Sequence, residues 1–186
     1  MDELIDILDE QGNITGKTCM KSEAHKKGIW HHCIHVWLYT INGEVLIQKR
    51  IVSKDTFPNR WDVSVAGHIR AGEDILLAAQ REVFEELGIK VELSDLNFTG
   101  NFKTDIKHNE FLLDREYHHV YISELTLPIE ELNIQLEEVS EIKLIPISNL
   151  NETLINKNLE HQFVPYERNY FNMVFEAIKN FIFLQT

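Results

Sequence analysis

Cysteine is nearly missing from this 186-residue chain: Cys19 and Cys33 are the whole supply. They lack CxxC spacing, and two thiols make no disulfide framework, so the fold is expected to rest on its apolar core in a reducing, cytoplasmic setting. Basic residues are also short, with 18 Lys and Arg against 30 Asp and Glu, a net charge of −12. That deficit argues against binding to a nucleic acid polymer or an anionic membrane. No apolar run approaches membrane-spanning length. The opening stretch MDELIDILDE is acidic and has no basic region followed by an apolar run, so no secretory signal is expected there. Repeats, low-complexity tracts and linkers are absent as well. What remains is ordinary for a soluble globular protein: 44% hydrophobic and 26% charged residues, enough for one domain over residues 1–186 with a full core.

Taken in order, Leu4 to Leu8 and Ile14 to Met20 flank the turn sequence Asp9 to Asn13, which predicts an N-terminal hairpin within residues 1–30. Residues 24–37 carry His25, His31, His32 and His35 without helical HxxxH spacing or a zinc-like cysteine set. Asn42-Gly43 marks a hairpin turn, and Val45 to Arg50 returns from it as a strand. Arg50 is a candidate phosphate contact or a solvated strand end. Trp61 to Ala66 predicts a short strand, with Trp61 as core packing. Strands are also expected over Val91 to Leu93, Leu96 to Lys103, Glu116 to Leu125 and Ile142 to Ile147, with Thr104 to Asn109 as a polar loop and Ser148 to Leu150 as the start of a connection. Residues 166–183 repeat apolar side chains at helical spacing and predict a C-terminal helix. Repeated βαβ units are absent, so the class is mixed α/β rather than doubly wound.

The densest pattern is Gly67 to Ile89, GHIRAGEDILLAAQREVFEELGI. From Glu73 onward it predicts one helix, entered through Gly72, with acids in its first turn and Gly88 at the left-handed end position. Leu76, Ala79, Val83 and Leu87 make an apolar row. Glu82, Glu85 and Glu86, three and four apart, converge on one patch beside it. Three like charges repel. A solvated acidic face is the plain reading of such a patch; the other is a divalent cation, for which hard oxygen ligands select Mg²⁺ or Mn²⁺.

The whole string resembles the Nudix box: Gly67, five residues, Glu73, seven residues, Arg81-Glu82-Val83, one residue, Glu85-Glu86, one residue, Gly88-Ile89. The resemblance implies an α/β/α sandwich around a mixed β-sheet. It implies metal ligation by Glu82, Glu85, Glu86 and the Gly67 carbonyl, and pairing of Arg81 with Glu73. It also implies hydrolysis of a diphosphate linkage in a small-molecule substrate, as in a Nudix pyrophosphohydrolase. Glu85 is the first choice for the group that takes the proton of water, followed by Glu116, Glu138 and Glu141. A homodimer is a further expectation from the family.

Beyond the box the chain resembles the subgroup near isopentenyl-diphosphate isomerase. His25 and His32 are seven apart, as are that enzyme's metal-binding histidines. Ser64-Val65-Ala66-Gly67-His68 stands where it has Ser-Val-Cys-Gly-His, and Asp114-Arg115-Glu116 stands for its Glu-x-Glu. Ala66 is the departure, because a methyl group cannot exchange the proton that isomerisation moves. Hydrolysis is therefore the expectation, with isomerisation and a non-catalytic ligand-binding module as alternatives.

Overall fold

The computed structural model describes residues 2–156 and 159–185. Met1, Lys157, Asn158 and Thr186, which the reading of 1–186 as one domain includes, lie outside the described residues. Strands β1 (Leu4–Leu8) and β2 (Ile14–Met20) pair antiparallel in a small sheet of their own, the expected hairpin. Its turn is held by Asp9, whose carboxylate accepts from the backbone N–H groups of Gln11 and Asn13. Helix α1 (Lys21–Lys27) follows directly and ends on Gly28 at a φ of 62°. Seven residues hold too few periodic positions to announce a helix in sequence.

The main sheet has seven strands organised on β3 (His31–Tyr39). It pairs antiparallel with β4 (Glu44–Arg50) and with β6 (Val65–His68), and parallel with β8 (Leu112–Glu124). Strands β5 (Trp61–Asp62) and β9 (Val139–Pro146) add to β4, and β7 (Asn97–Asn109) lies against β8. Both faces of β3 are covered, which is why its sequence is apolar on both. Ile34, Val36 and Leu38 pack with Ala78, Ala79, Val83 and Leu87 of helix α2 (Ile75–Leu87). Trp37 and Tyr39 pack on the other side with Leu150 of α3 (Ile147–Ile155) and with Tyr170, Val174 and Ile178 of α4 (Arg168–Gln185). Burial of each such side chain contributes roughly 1.5–3 kcal/mol. The architecture is thus an α/β/α sandwich around a mixed sheet, with an N-terminal hairpin and a C-terminal helix. Trp61 is buried in the α4-side core, as expected. Among the described residues no helix is long and apolar enough to cross a membrane.

Five local expectations fail. The central helix begins at Ile75, because Asp74 stays extended and caps it by accepting from the N–H groups of Leu76 and Leu77. Glu73 is left outside the first turn. Thr104 to Asn109 is the end of strand β7, paired with β8 as far as Asn109 and Leu112. An edge strand shows alternate side chains to water, and that polarity imitates a loop. Val91 to Leu93 is not a strand; a single 3₁₀ turn follows at Leu93–Asp95. Ser148 to Leu150 lies inside α3, whose nine residues again give a weak periodic signal. Trp61 to Ala66 is not one strand but parts of two, β5 and β6, because the chain leaves β4 after Asp62 and joins β3 from Val65.

Candidate functional site

Strand β6 carries Gly67 against α2. A Cβ atom at Gly67 would stand 2.1 Å from Glu82 Cδ and 2.4 Å from its Oε1, so only glycine lets strand and carboxylate touch. Glu82 and Glu86, one helical turn apart, are both buried. Glu86 Oε2 accepts from Gln48 Nε2 at 2.8 Å. Glu85 faces outward instead, where Arg81 Nη1 at 3.1 Å and Arg70 Nη2 at 3.4 Å donate to it.

Arg81 is the pivot of the helix. It donates to both oxygens of Glu73 at 2.8 Å, to Glu82 at 2.6 Å and to the His68 carbonyl at 3.0 Å. Burial opposes its charge, but Glu73 and Glu82 outweigh that and hold its pKa well up. Burial pushes Glu82 up to about 7 in spite of Arg81. Glu86, enclosed and next to Glu82, rises well above the ordinary carboxylate range. Of these two buried carboxylates only Glu82 meets an arginine, and Glu86 meets only the neutral Gln48, so the pair lacks a cation. A hard oxygen set with that deficit fits Mg²⁺ or Mn²⁺, which Glu82, Glu86 and the Gly67 carbonyl would hold from within and Glu85 from the rim.

Two outcomes follow. Gly67→Ala forces Glu82 out of its place, so diphosphate cleavage should fall by about 10²-fold or more, comparable with the loss of a preorganised charge-stabilising group. Steady-state kinetics at saturating Mg²⁺ checks this. Protons also compete with the metal. Glu82 has its pKa raised from 4.5 to about 7, so the metal-free fold keeps a proton that the unfolded chain releases near 4.5. That stabilisation is complete below 4.5 and is lost as pH rises through 7. The increase in Tm caused by Mg²⁺ should therefore grow from pH 6 to pH 8 in thermal melts. An increase independent of pH would remove Glu82 from the metal position.

Gly67, Glu82, Glu85, Glu116 and Glu138 line one cavity of about 560 Å³, whereas Glu73, Arg81 and Glu86 are not part of its lining. Glu138 is ion-paired with Lys54, which also lines the cavity. Glu141 is exposed, pairs with Lys49 and is not part of this lining. Arg50 lines the cavity as well, with its guanidinium already bonded within the protein. Its guanidinium bonds Asp62, the Thr56 carbonyl and Thr56 Oγ1, each at 3.0 Å, and so anchors the loop that bears Lys54.

A second cluster stands on the opposite wall. His25, His31, His68 and Glu116 bring one ligand atom each within 4.8 Å of the others. His31, rather than His32, is the partner of His25. Strand alternation sends His31, Cys33 and His35 to one face and His32 to the other, where it meets His119 at 3.0 Å. His31 Nδ1 donates to the Ile29 carbonyl at 2.9 Å, and His25 Nδ1 faces Asp114 Oδ1 at 3.3 Å. With each Nδ1 so engaged, the Nε2 atoms are left to turn toward Glu116 or His68, the arrangement that metal-ligating histidines show. His31 Nε2 and Asp114 Oδ1 are buried without a full hydrogen bond. Burial lowers His68 to about 3. It opposes ionisation of Glu116 too, yet His31 and His68 hold Glu116 well below the ordinary range. Imidazoles with one carboxylate suit a transition metal. Spacing alone could not identify His31; the alternation of β3 and β8 is the signal that could.

Comparison with known proteins agrees with this geometry. The family described as NUDIX domain matches residues 30–166. Nudix hydrolase 3 of Arabidopsis thaliana is 34% identical over 90% of the chain, which spans only 22% of that relative. An uncharacterised Nudix hydrolase of Clostridium acetobutylicum is 39% identical over 84% of the chain and 76% of its own length. Isopentenyl-diphosphate Delta-isomerase 2 of Photorhabdus laumondii is 30% identical over 84% of each. Among solved structures, the MutT protein of Methanosarcina mazei Go1 has a TM-score of 0.62 at 16% identity, covering 81% of this chain and 95% of its own, a likeness of fold.

Proposed function

This chain belongs to the Nudix family and is a Nudix pyrophosphohydrolase, and on that premise we propose that it uses Mg²⁺ or Mn²⁺ to hydrolyse a diphosphate linkage in a nucleoside diphosphate derivative or a related small organic diphosphate. The observation that carries the reading is the pair of buried carboxylates, Glu82 and Glu86, one helical turn apart, of which Glu82 packs against Gly67 and lines an accessible cavity. Divalent cations bound there would neutralise the diphosphate oxygens and lower the pKa of bound water.

The remaining work falls to the chain. Arg81 fixes the rotation of α2 by tying Glu73, Glu82 and the His68 carbonyl together. Lys21, Lys54 and Arg70 line the cavity and supply the cations that a protein of net charge −12 otherwise lacks for a diphosphate. Glu85, at the rim of the cavity, takes the proton of the attacking water, with Glu138 and Glu116 next in line.

Isomerisation is the second reading, favoured by the isomerase-named relative and by a thiol in the cavity. Cys33 lines it, one strand away from the position where Ala66 replaces the expected cysteine. Burial and Glu116 raise that thiol well above its ordinary range, which suits it poorly to proton exchange with carbon. The test is a panel of nucleotide, nucleotide-sugar and prenyl diphosphates with Mg²⁺ or Mn²⁺, scored for cleaved product and for double-bond migration. Cleavage that is lost in Glu85→Gln supports hydrolysis; migration without cleavage overturns it.

A further inference from the structure

Glu116 divides its carboxylate between two sets of side chains. Its Oε1 lies 3.4 Å from His68 Nε2 and 3.5 Å from His31 Nε2, whereas Oε2 lies 3.5 Å from His118 Nε2. Cys33 stands on the His118 side. Its Sγ, a Glu116 oxygen and a His118 ring nitrogen all lie within 4.8 Å of one another. The parallel ladder between β3 and β8 explains this, since it sets Cys33 beside His118 and His31 beside Glu116. Cys33 is 3% exposed and His118 is 1% exposed. His118 Nδ1 has no hydrogen-bond partner, and its Nε2 is also 2.9 Å from Thr104 Oγ1. Nε2 is the ring atom turned toward Glu116, so Nε2 is the atom that a cation would take.

We propose that Cys33, His118 and Glu116 Oε2 form a second cation position, with Glu116 bridging it to the histidine cluster. The donor set of one thiolate, one imidazole and one carboxylate selects a borderline ion such as Zn²⁺ and rejects Mg²⁺. The spacing agrees, because two ligands bound at about 2.1 Å to a tetrahedral ion stand about 3.4 Å apart. On binding, the Cys33 S–H bond breaks, a sulfur–metal bond forms and the proton leaves to solvent. Thr104 gives up its contact when the ring binds through Nε2. Cys33 and Glu116 both line the cavity, so the fourth coordination position opens into it. The protein would then hold hard ions on α2 and a borderline ion on the opposite wall.

Cobalt reports this directly, because a thiolate bound to Co²⁺ adds a near-ultraviolet charge-transfer band that imidazole and carboxylate ligands do not give. The full chain, stripped with a chelator, is titrated with Co²⁺. The band is expected in the wild type and in Cys19→Ser, and is expected to disappear in Cys33→Ser while the visible bands of imidazole-bound cobalt persist. Zn²⁺ should displace it and Mg²⁺ should not. Saturated visible bands with no charge-transfer band in the wild type would overturn the proposal, as would a band that survives Cys33→Ser. The wild-type spectrum decides even where a variant fails to fold, and it is independent of any hydrolytic assay.

Discussion

Glu86→Gln is expected to lower kcat/KM for diphosphate cleavage by more than the roughly 10–100-fold that loss of an outer-shell partner costs a metal site. The same substitution should raise the Tm of the metal-free protein. Both effects have one cause. Glu86 is 3% exposed, and burial together with Glu82 lifts its pKa well above the ordinary range, so ionising Glu86 costs the metal-free fold stability. Glutamine keeps the shape, and its carbonyl still accepts from Gln48, now 2.8 Å from Glu86 Oε2. It removes the charge that a divalent ion needs. Thermal melts with and without Mg²⁺ and steady-state kinetics on one preparation separate the two effects. A variant that lost activity and stability together would point to a packing role.

Arg81→Ala is expected to cost about 3–5 kcal/mol, the usual result of removing one partner from a buried ionic network. At roughly 2–4 °C per kcal/mol for a chain of this size, Tm should drop by about 6–20 °C. The side chain is 15% exposed and connects Glu73, Glu82, Glu85 and the His68 carbonyl, so its loss leaves buried carboxylates without their cation. Arg81→Lys should recover little, because one ammonium cannot span donors aimed in three directions. A loss below about 1 kcal/mol, the range of exposed ion pairs, would show that solvent screens the network.

These two residues were readable in the sequence for a simple reason. Gly67 to Gly88 is a contiguous stretch in which helical spacing puts Glu82 beside Glu86, while the pairing of Arg81 with Glu73 came from the resemblance to the Nudix box, since Glu73 lies outside the helix. What spacing could not reveal was the outward turn of Glu85, which depends on Arg70 from the preceding loop. The histidine cluster was less legible still. Its members come from α1, β3, β6 and β8, and the parallel register that sets His31 beside Glu116 is a tertiary fact. Sequence distance pairs His25 with His32, but alternation along β3 turns His32 to the opposite face. The sandwich itself followed from strands on either side of a central helix and from the box. The short helices α1 and α3 and the polar edge strand β7 fell below what periodicity can resolve.

The measurement that tests the metal position most directly is Mn²⁺ binding to the stripped protein, followed by calorimetry in the wild type, Glu82→Gln, Glu86→Gln and His25→Ala. The expected result is a site that weakens at least about tenfold in each glutamine variant, as loss of a ligand or its supporting shell requires, and that is unchanged in His25→Ala. Undiminished binding in both glutamine variants, or a loss confined to His25→Ala, would contradict the assignment of the catalytic metal to helix α2.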